Sequence, residues 1–221
     1  MAHTSTRDIV DALTRAIVEH RLLPGTKLPE LRLAAHFGVS RTLVRQALHQ
    51  LAQNRLVRLE PARGAFVAAP SADEARQLLA VRRTLEVDLV RGLAGHLGAA
   101  ELHTLRQHLR TEQAAIARHD VTGRNQLLGD FHLRLAELSG NRVLAEILGE
   151  LLSRSALITL MYQNDPAARH SSDEHVAIVD ALAAGDGERA ARLMAEHLEH
   201  VVAGLSFDHP RPSADLALAL T

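Results

Sequence analysis

The chain has 221 residues, 47% of them apolar, enough for a small domain and a second one of about 140 residues with its own core. Aromatic residues make up only 2% and there is no tryptophan, so any core is built from Leu, Ala, Val and Ile; without cysteine, disulfides and thiolate metal sites are excluded. The net charge of −1 hides two unlike parts: residues 1–70 carry 10 Lys and Arg against 5 Asp and Glu, and residues 71–221 carry 15 against 21, a basic head on an acidic body.

In the head, Leu31, Ala34, Ala35 and Phe37 have the spacing of one face of a short helix. Gly38 ends it, Val39 plugs the turn, and Ser40 is an N-cap for a second helix with the stripe Leu43, Val44, Ala47, Leu48 and Leu51. Arg41, Thr42, Arg45 and Gln46 sit near the start of that helix and off its stripe. Side chains of these types at a helix N-terminus can bond phosphates and the base edges of a major groove. Leu56 to Leu59, a turn over 60–64 and Ala65 to Val67 predict a two-stranded hairpin with Arg63-Gly64 at its tip. A helix-turn-helix pattern alone occurs in many small helical domains; the basic charge points it at double-stranded DNA and predicts salt-sensitive binding. The candidate contacts are Arg32, Ser40, Arg41, Thr42, Arg45, Gln46, Arg63 and Gly64.

Pro70-Ser71-Ala72-Asp73 ends the wing and caps a new helix. Helices are predicted over 73–96, 99–118, 122–138, 141–161, 171–184 and 187–204, with breaks at Gly98, His119-Asp120, Ser139-Gly140-Asn141, Asn164-Asp165-Pro166 and Gly185-Asp186-Gly187. Without a strand signal here, the expected fold is mainly α: an N-terminal winged helix-turn-helix (1–70), a C-terminal all-helical bundle for effector binding and dimerisation (71–207), and a flexible tail (208–221). Met1 to Arg7 is polar, unlike a signal peptide, and no apolar run approaches the roughly 18 residues of a membrane span. The expected compartment is the cytoplasm.

The head resembles the GntR family of bacterial transcription factors. The resemblance is carried by Pro24-Gly25, Lys27-Leu28, Glu30, Leu33-Ala34, Phe37-Gly38-Val39-Ser40-Arg41-Thr42, Val44-Arg45, Ala47-Leu48, Leu51, Leu56-Val57, Gly64 and Phe66-Val67. It implies a winged helix that binds a short palindrome as a homodimer, with Arg41, Thr42 and Arg45 at the groove and Gly64 in the wing; Gln46 stands where the family often has Glu. The body resembles the FCD effector domain of FadR-like members, through Arg82, Leu85-Glu86, Leu93-Ala94, Phe131-His132, Ser139-Gly140-Asn141, Glu174-His175, Ile178, Ala181-Leu182, Met194 and His197-Leu198.

His132, His175 and His197 lie on three different predicted helices, and imidazole is the commonest neutral ligand for Zn, Ni and similar divalent metals. The FCD resemblance implies that three such histidines, with an Asp or Asn one turn before the first, hold a metal that binds a carboxylate effector. Here that position is Leu128. Asp130, two residues before His132, points to another side of a helix, and Asn125 is two turns back. Three readings stay open: a histidine-only metal site, a pocket of neutral histidines without metal, and ordinary helix histidines. His200, one turn beyond His197, is the less favoured neighbour, and His103, His108 and His119 read as solvated. Arg82 either clamps an effector carboxylate or pairs with Glu86 four residues on; Arg134 and Arg154 are secondary candidates. The expected function is a DNA-binding regulator, a repressor, modulated by a small organic acid. The alternatives are an architectural DNA-binding dimer with a vestigial effector domain, and a metal-dependent hydrolase; the expectation is no enzyme.

Overall fold

The computed structural model describes residues 4–19, 21–118, 120–162 and 165–205. The expected tail over 208–221 and His119 lie outside them, as does the side chain of Asn125.

The head begins with α1 (Thr6–Val18), an element beyond the expected set. Ser5 and Asp8 form a reciprocal cap at its start, and Ile9, Leu13 and Ile17, one turn apart, are fully buried. After β1 (Lys27–Leu28) come α2 (Glu30–Phe37) and α3 (Arg41–Gln53), the helix-turn-helix. Gly38 closes α2 in the left-handed region at φ 64°, and the Ser40 hydroxyl caps α3 by accepting from the Leu43 N–H at 3.3 Å. The wing is β2 (Val57–Glu60) and β3 (Gly64–Val67), antiparallel, with Val57 opposite Val67 and Glu60 opposite Gly64. Pairing therefore runs through both ends of the expected turn and leaves residues 61–63 as the loop. β1 adds to the other edge of β3, Lys27 opposite Phe66.

The buried face of α2 differs from the expected one. Leu33 and Ala34 are in the core, whereas Leu31 is 70% exposed and Ala35 is exposed. In an eight-residue helix with apolar side chains on several sides, periodicity leaves the face undecided; packing of Leu33 among Leu13, Val44 and Leu48 settles it.

Among the described residues, six long helices form the body: α4 (Ala72–Leu93), α5 (Ala99–Ala117), α6 (Val121–Leu138), α7 (Arg142–Tyr162), α8 (Asp165–Ala183) and α9 (Gly187–Ala203). Ser71, Asp120 and Asp186 supply side-chain N-caps to α4, α6 and α9. α8 starts six residues earlier than expected. Pro166, read as a break, falls in its first turn, where a missing N–H costs no helical hydrogen bond. α4 lies along α9, α8 packs on α5 and α9, and α6 on α5 and α7, around a core that includes Leu105, Phe131, Leu135, Leu148, Ile178 and Met194.

Head and body share α7. Its Leu157 is fully buried and belongs to the head's core, the cluster that also holds Leu13, Ile17 and Leu56. Among the described residues, no helix is long and apolar enough to cross a membrane.

Candidate functional site

Two surfaces carry the chemistry. On the head, Val44, Ala47, Leu48 and Leu51 turn one face of α3 into the core, leaving Arg41, Thr42, Arg45 and Gln46 exposed on the other with His49, which shares their face by helical spacing. Arg32 is exposed on α2. Glu30 organises this face: Arg45 grips its carboxylate with Nε and Nη2 at 2.9 and 2.8 Å, and Arg41 Nη2 adds a third bond at 3.2 Å. These hydrogen bonds, first that of Arg45, bring the Glu30 carboxyl down to about 2. The Gln46 Oε1 accepts from the Thr6 hydroxyl at 3.4 Å. In the wing, Arg63 pairs with Glu60 and lies 5.3 Å from the Phe66 ring centroid, with Lys27 5.8 Å from the same ring. Gly64 sits at φ 99°.

In the body, α6, α8 and α9 bring His132, His175 and His197 together, their ligand nitrogens within 4.8 Å of one another and the residues buried. Each Nδ1 meets a glutamate. His132 donates to Glu86 of α4, His175 to both oxygens of Glu112 of α5 at 3.2 Å, and His197 to Glu174 of α8 at 2.8 Å. A carboxylate only accepts, so the proton sits on Nδ1 and each Nε2 keeps its lone pair. His132 Nε2 and His197 Nε2 face each other at 3.3 Å, and His175 Nε2 is buried without a hydrogen-bond partner. Phe131 stacks on the His175 ring, centroids 3.9 Å apart, fixing its plane.

Protonation does not resolve this crowding of acceptors. Burial pushes His132 down to about 4 and His197 to about 3. The glutamates stay ionised. Burial works against them, but His108 and His175 hold Glu112 at about 2, His197 and His200 hold Glu174 at about 2, and Arg82 and His132 keep Glu86 well below the usual carboxylate range. Three imidazoles with carboxylates behind them and lone pairs in front are of the chemistry that could hold a divalent metal, and the orphaned His175 nitrogen is an atom such an ion would satisfy.

The triad opens into a cavity of about 200 Å³ whose lining includes Arg82, Leu128, Asp130, Ser155 and Val18. Leu128 brings no ligand atom. Asp130 is among the residues of the cavity wall, but its carboxylate does not join the three nitrogens. Of the two alternatives for Arg82, the pairing with Glu86 is present. Its Nε donates to Glu86 at 2.7 Å and its Nη1 to Ser155 at 3.2 Å, while Nη2 is buried without a partner. Arg154 instead pairs with Glu74 at 2.9 Å, and Arg134 is exposed.

Several residues of the site were not expected. Glu112 is fully buried, and His108, expected in solvent, is buried against it at 3.2 Å and against the Leu127 carbonyl at 2.9 Å. The available signal was the i, i+4 spacing of His108 and Glu112, which equally describes a solvated pair. His103 is exposed, as expected; His200, the less favoured neighbour of His197, is also exposed and meets the other oxygen of Glu174.

Comparison with known proteins agrees with both halves. Residues 5–67 match the model of the bacterial regulatory proteins of the gntR family, and residues 77–200 match the FCD domain. The chain is similar to the HTH-type transcriptional repressor RspR of Escherichia coli K12, 27% identical over 88% of this chain and 86% of that protein. It is also similar to an HTH-type transcriptional regulator from an unstable DNA locus of Streptomyces ambofaciens, 32% identical over 90% and 84%. A GntR transcriptional regulator from Rhodococcus sp. RHA1 superposes with a TM-score of 0.82 at 30% identity, covering 90% of this chain and 95% of that one. The chain therefore belongs to the GntR family of bacterial regulatory proteins, with an FCD domain as its helical body, and is a DNA-binding transcriptional regulator rather than an enzyme.

Proposed function

We propose that this regulator is a repressor that releases its operator when a small carboxylate metabolite enters the helical body and binds at a divalent metal held by His132, His175 and His197. The observation that carries this reading is the convergence of three Nε2 lone pairs, one buried and unpartnered, beside the unpartnered Nη2 of Arg82. A metal there supplies positive charge and open coordination positions for ligand oxygens. Arg82 orients the ligand by donating from Nη2, which the bonds to Glu86 and Ser155 hold in place. The cavity of about 200 Å³ has room for a small organic acid.

The route to DNA is short. Val18, the last residue of α1, lines the cavity, and α7 carries Ser155 on the cavity side and Leu157 in the head's core. A ligand that shifts α7 or the end of α1 changes how the head is placed. In a homodimer two heads must match two half-sites, so a small rotation changes affinity by the ~1–3 kcal/mol typical of coupling between sites. Arg41, Thr42, Arg45 and Gln46 on α3 face the groove, with Ser40 and Arg32 beside it and Arg63-Gly64 at the backbone. Val143 and Ile147, four apart on α7 and 66% and 46% exposed, are among the exposed apolar side chains and can be offered to a second copy. The repressor assignment is supported by the names of relatives such as RspR.

The test is fluorescence anisotropy on promoter fragments from the protein's own locus, with Zn²⁺ or chelator and a panel of mono- and dicarboxylates. At least one acid should weaken binding in the presence of Zn²⁺ and do so less after chelation. Binding that every acid leaves unchanged in both states overturns the effector reading.

A further inference from the structure

Outside the cavity, a second group of metal-ligating side chains stands on the outer edge of α8 and α9. His170 and Glu174 are four residues apart on α8, one above the other, and His200 comes from α9. His170 Nε2 lies 3.0 Å from Glu174 Oε1 and 3.4 Å from His200 Nδ1, and His200 Nδ1 contacts the same Oε1. The three ligand atoms lie within 4.8 Å of one another, and the two rings are half exposed, at 60% and 53%.

We propose that His170, Glu174 and His200 form a second, surface site for a divalent first-row metal ion, separate from the interior triad. Two imidazole nitrogens and one carboxylate oxygen on one side of an ion, with water on the other, is a recurrent ligand set for such metals. The carboxylate is held ready from behind: Glu174 Oε2 accepts from His197 Nδ1 at 2.8 Å, so Oε1 faces outward in a fixed place. Two nitrogens directed at one oxygen and at each other are also poor partners for mutual hydrogen bonding, since His170 and His200 compete for the same acceptor. A shared cation satisfies all three atoms at once. Glu174 would then serve both sites, through one oxygen to the ion outside and through the other to a histidine of the triad inside.

The experiment is zinc stoichiometry of tag-free, full-length protein, stripped with chelator, exposed to Zn²⁺ and desalted, for the wild type, His170→Ala/His200→Ala and His175→Ala. Because the outer pair is exposed, the double variant folds, and its melting temperature is checked against the wild type. The wild type should hold one more zinc per chain than the double variant, and His175→Ala should keep the outer ion. Should the double variant hold as much zinc as the wild type, or the wild type hold none, the surface site is overturned. If the double variant loses one equivalent while His175→Ala loses nothing, the surface site stands and it is the interior metal reading that fails.

Discussion

Replacing Glu112 by Gln removes the carboxylate behind His175 while keeping its shape. In the wild type this buried group accepts from His175 Nδ1, from the Ser172 hydroxyl at 3.2 Å and from His108 Nε2. A glutamine keeps one acceptor oxygen for His175, Ser172 can turn to accept from its NH₂, and His108 keeps the Leu127 carbonyl, so what is lost is the charge on the acceptor of His175. Exchanging a hydrogen bond to a charged acceptor for a neutral one costs ~1–2 kcal/mol, which for a domain of this size lowers the melting temperature by about 2–8 °C. The larger consequence is at the triad: with its Nδ1–H less firmly held, His175 is a weaker and less oriented donor at Nε2. Loss of such an outer partner weakens metal binding by about 10–100-fold, or ~1.4–2.7 kcal/mol. Competition for Zn²⁺ against a chromophoric chelator measures this directly, with the exposed Glu150→Gln as control. A Glu112→Gln protein that binds zinc as tightly as the control would refute the assignment of His175 as a ligand and of Glu112 as its support.

Other expectations can be checked with standard assays. His175→Ala should abolish metal uptake at the triad while leaving operator binding measurable by gel shift; unchanged metal content in a His170→Ala/His200→Ala background would count against it. Arg45→Ala should weaken operator binding by ~1–3 kcal/mol, about 5- to 150-fold, whereas Arg118→Ala, exposed after α5, should not; equal losses would remove α3 from the groove. Gly64→Ala places a methyl group in open space, its nearest neighbour Lys27 Cε at 3.9 Å, but forces an L-residue to φ 99°. The cost is torsional, ~1–3 kcal/mol, and a melting temperature equal to wild type would show that the wing relaxes freely. Glu30, held at about 2 against an ordinary 4.5, contributes stability that is complete above about pH 4.5 and is lost as pH falls toward 2. Acid unfolding of Glu30→Gln should therefore diverge from wild type above that window and converge below it; parallel curves throughout would mean the arginine latch does not form in solution.

Much of this was legible in the sequence because local rules and tertiary packing agree there. Gly38, Ser40 and the stripe from Val44 to Leu51 each have a single cheap conformation, and all three lead to the same turn and helix. The family pattern placed His132, His175 and His197, and the structure brings them together. What failed was whatever depends on a neighbour distant in sequence. His108 and Glu112 look like a solvated i, i+4 pair until α8 covers them; Leu31 and Leu33 are equally apolar until α3 selects one; Pro166 reads as a break until the backbone places it in a first turn. The α1 stripe of Ile9, Leu13 and Ile17 was readable by the same periodicity that gave α3.

The arrangement of α7 gives the coupling a physical basis that neither half supplies alone. Leu157 and Ser155 are two residues apart, so they lie on different sides of the helix: one fills the head's core, and the other holds the cavity arginine. Interiors packed at crystal-like density do not absorb a displaced side chain, so a shift of α7 by a bound ligand is passed to the packing around Leu13 and Ile17. Truncating Leu157 to Ala should cost ~2–5 kcal/mol of stability, and in the protein that remains folded it should reduce the ligand's effect on operator affinity more than it reduces ligand binding itself. Equal losses in both would mean that the head senses the cavity by another path, through Val18 at the end of α1.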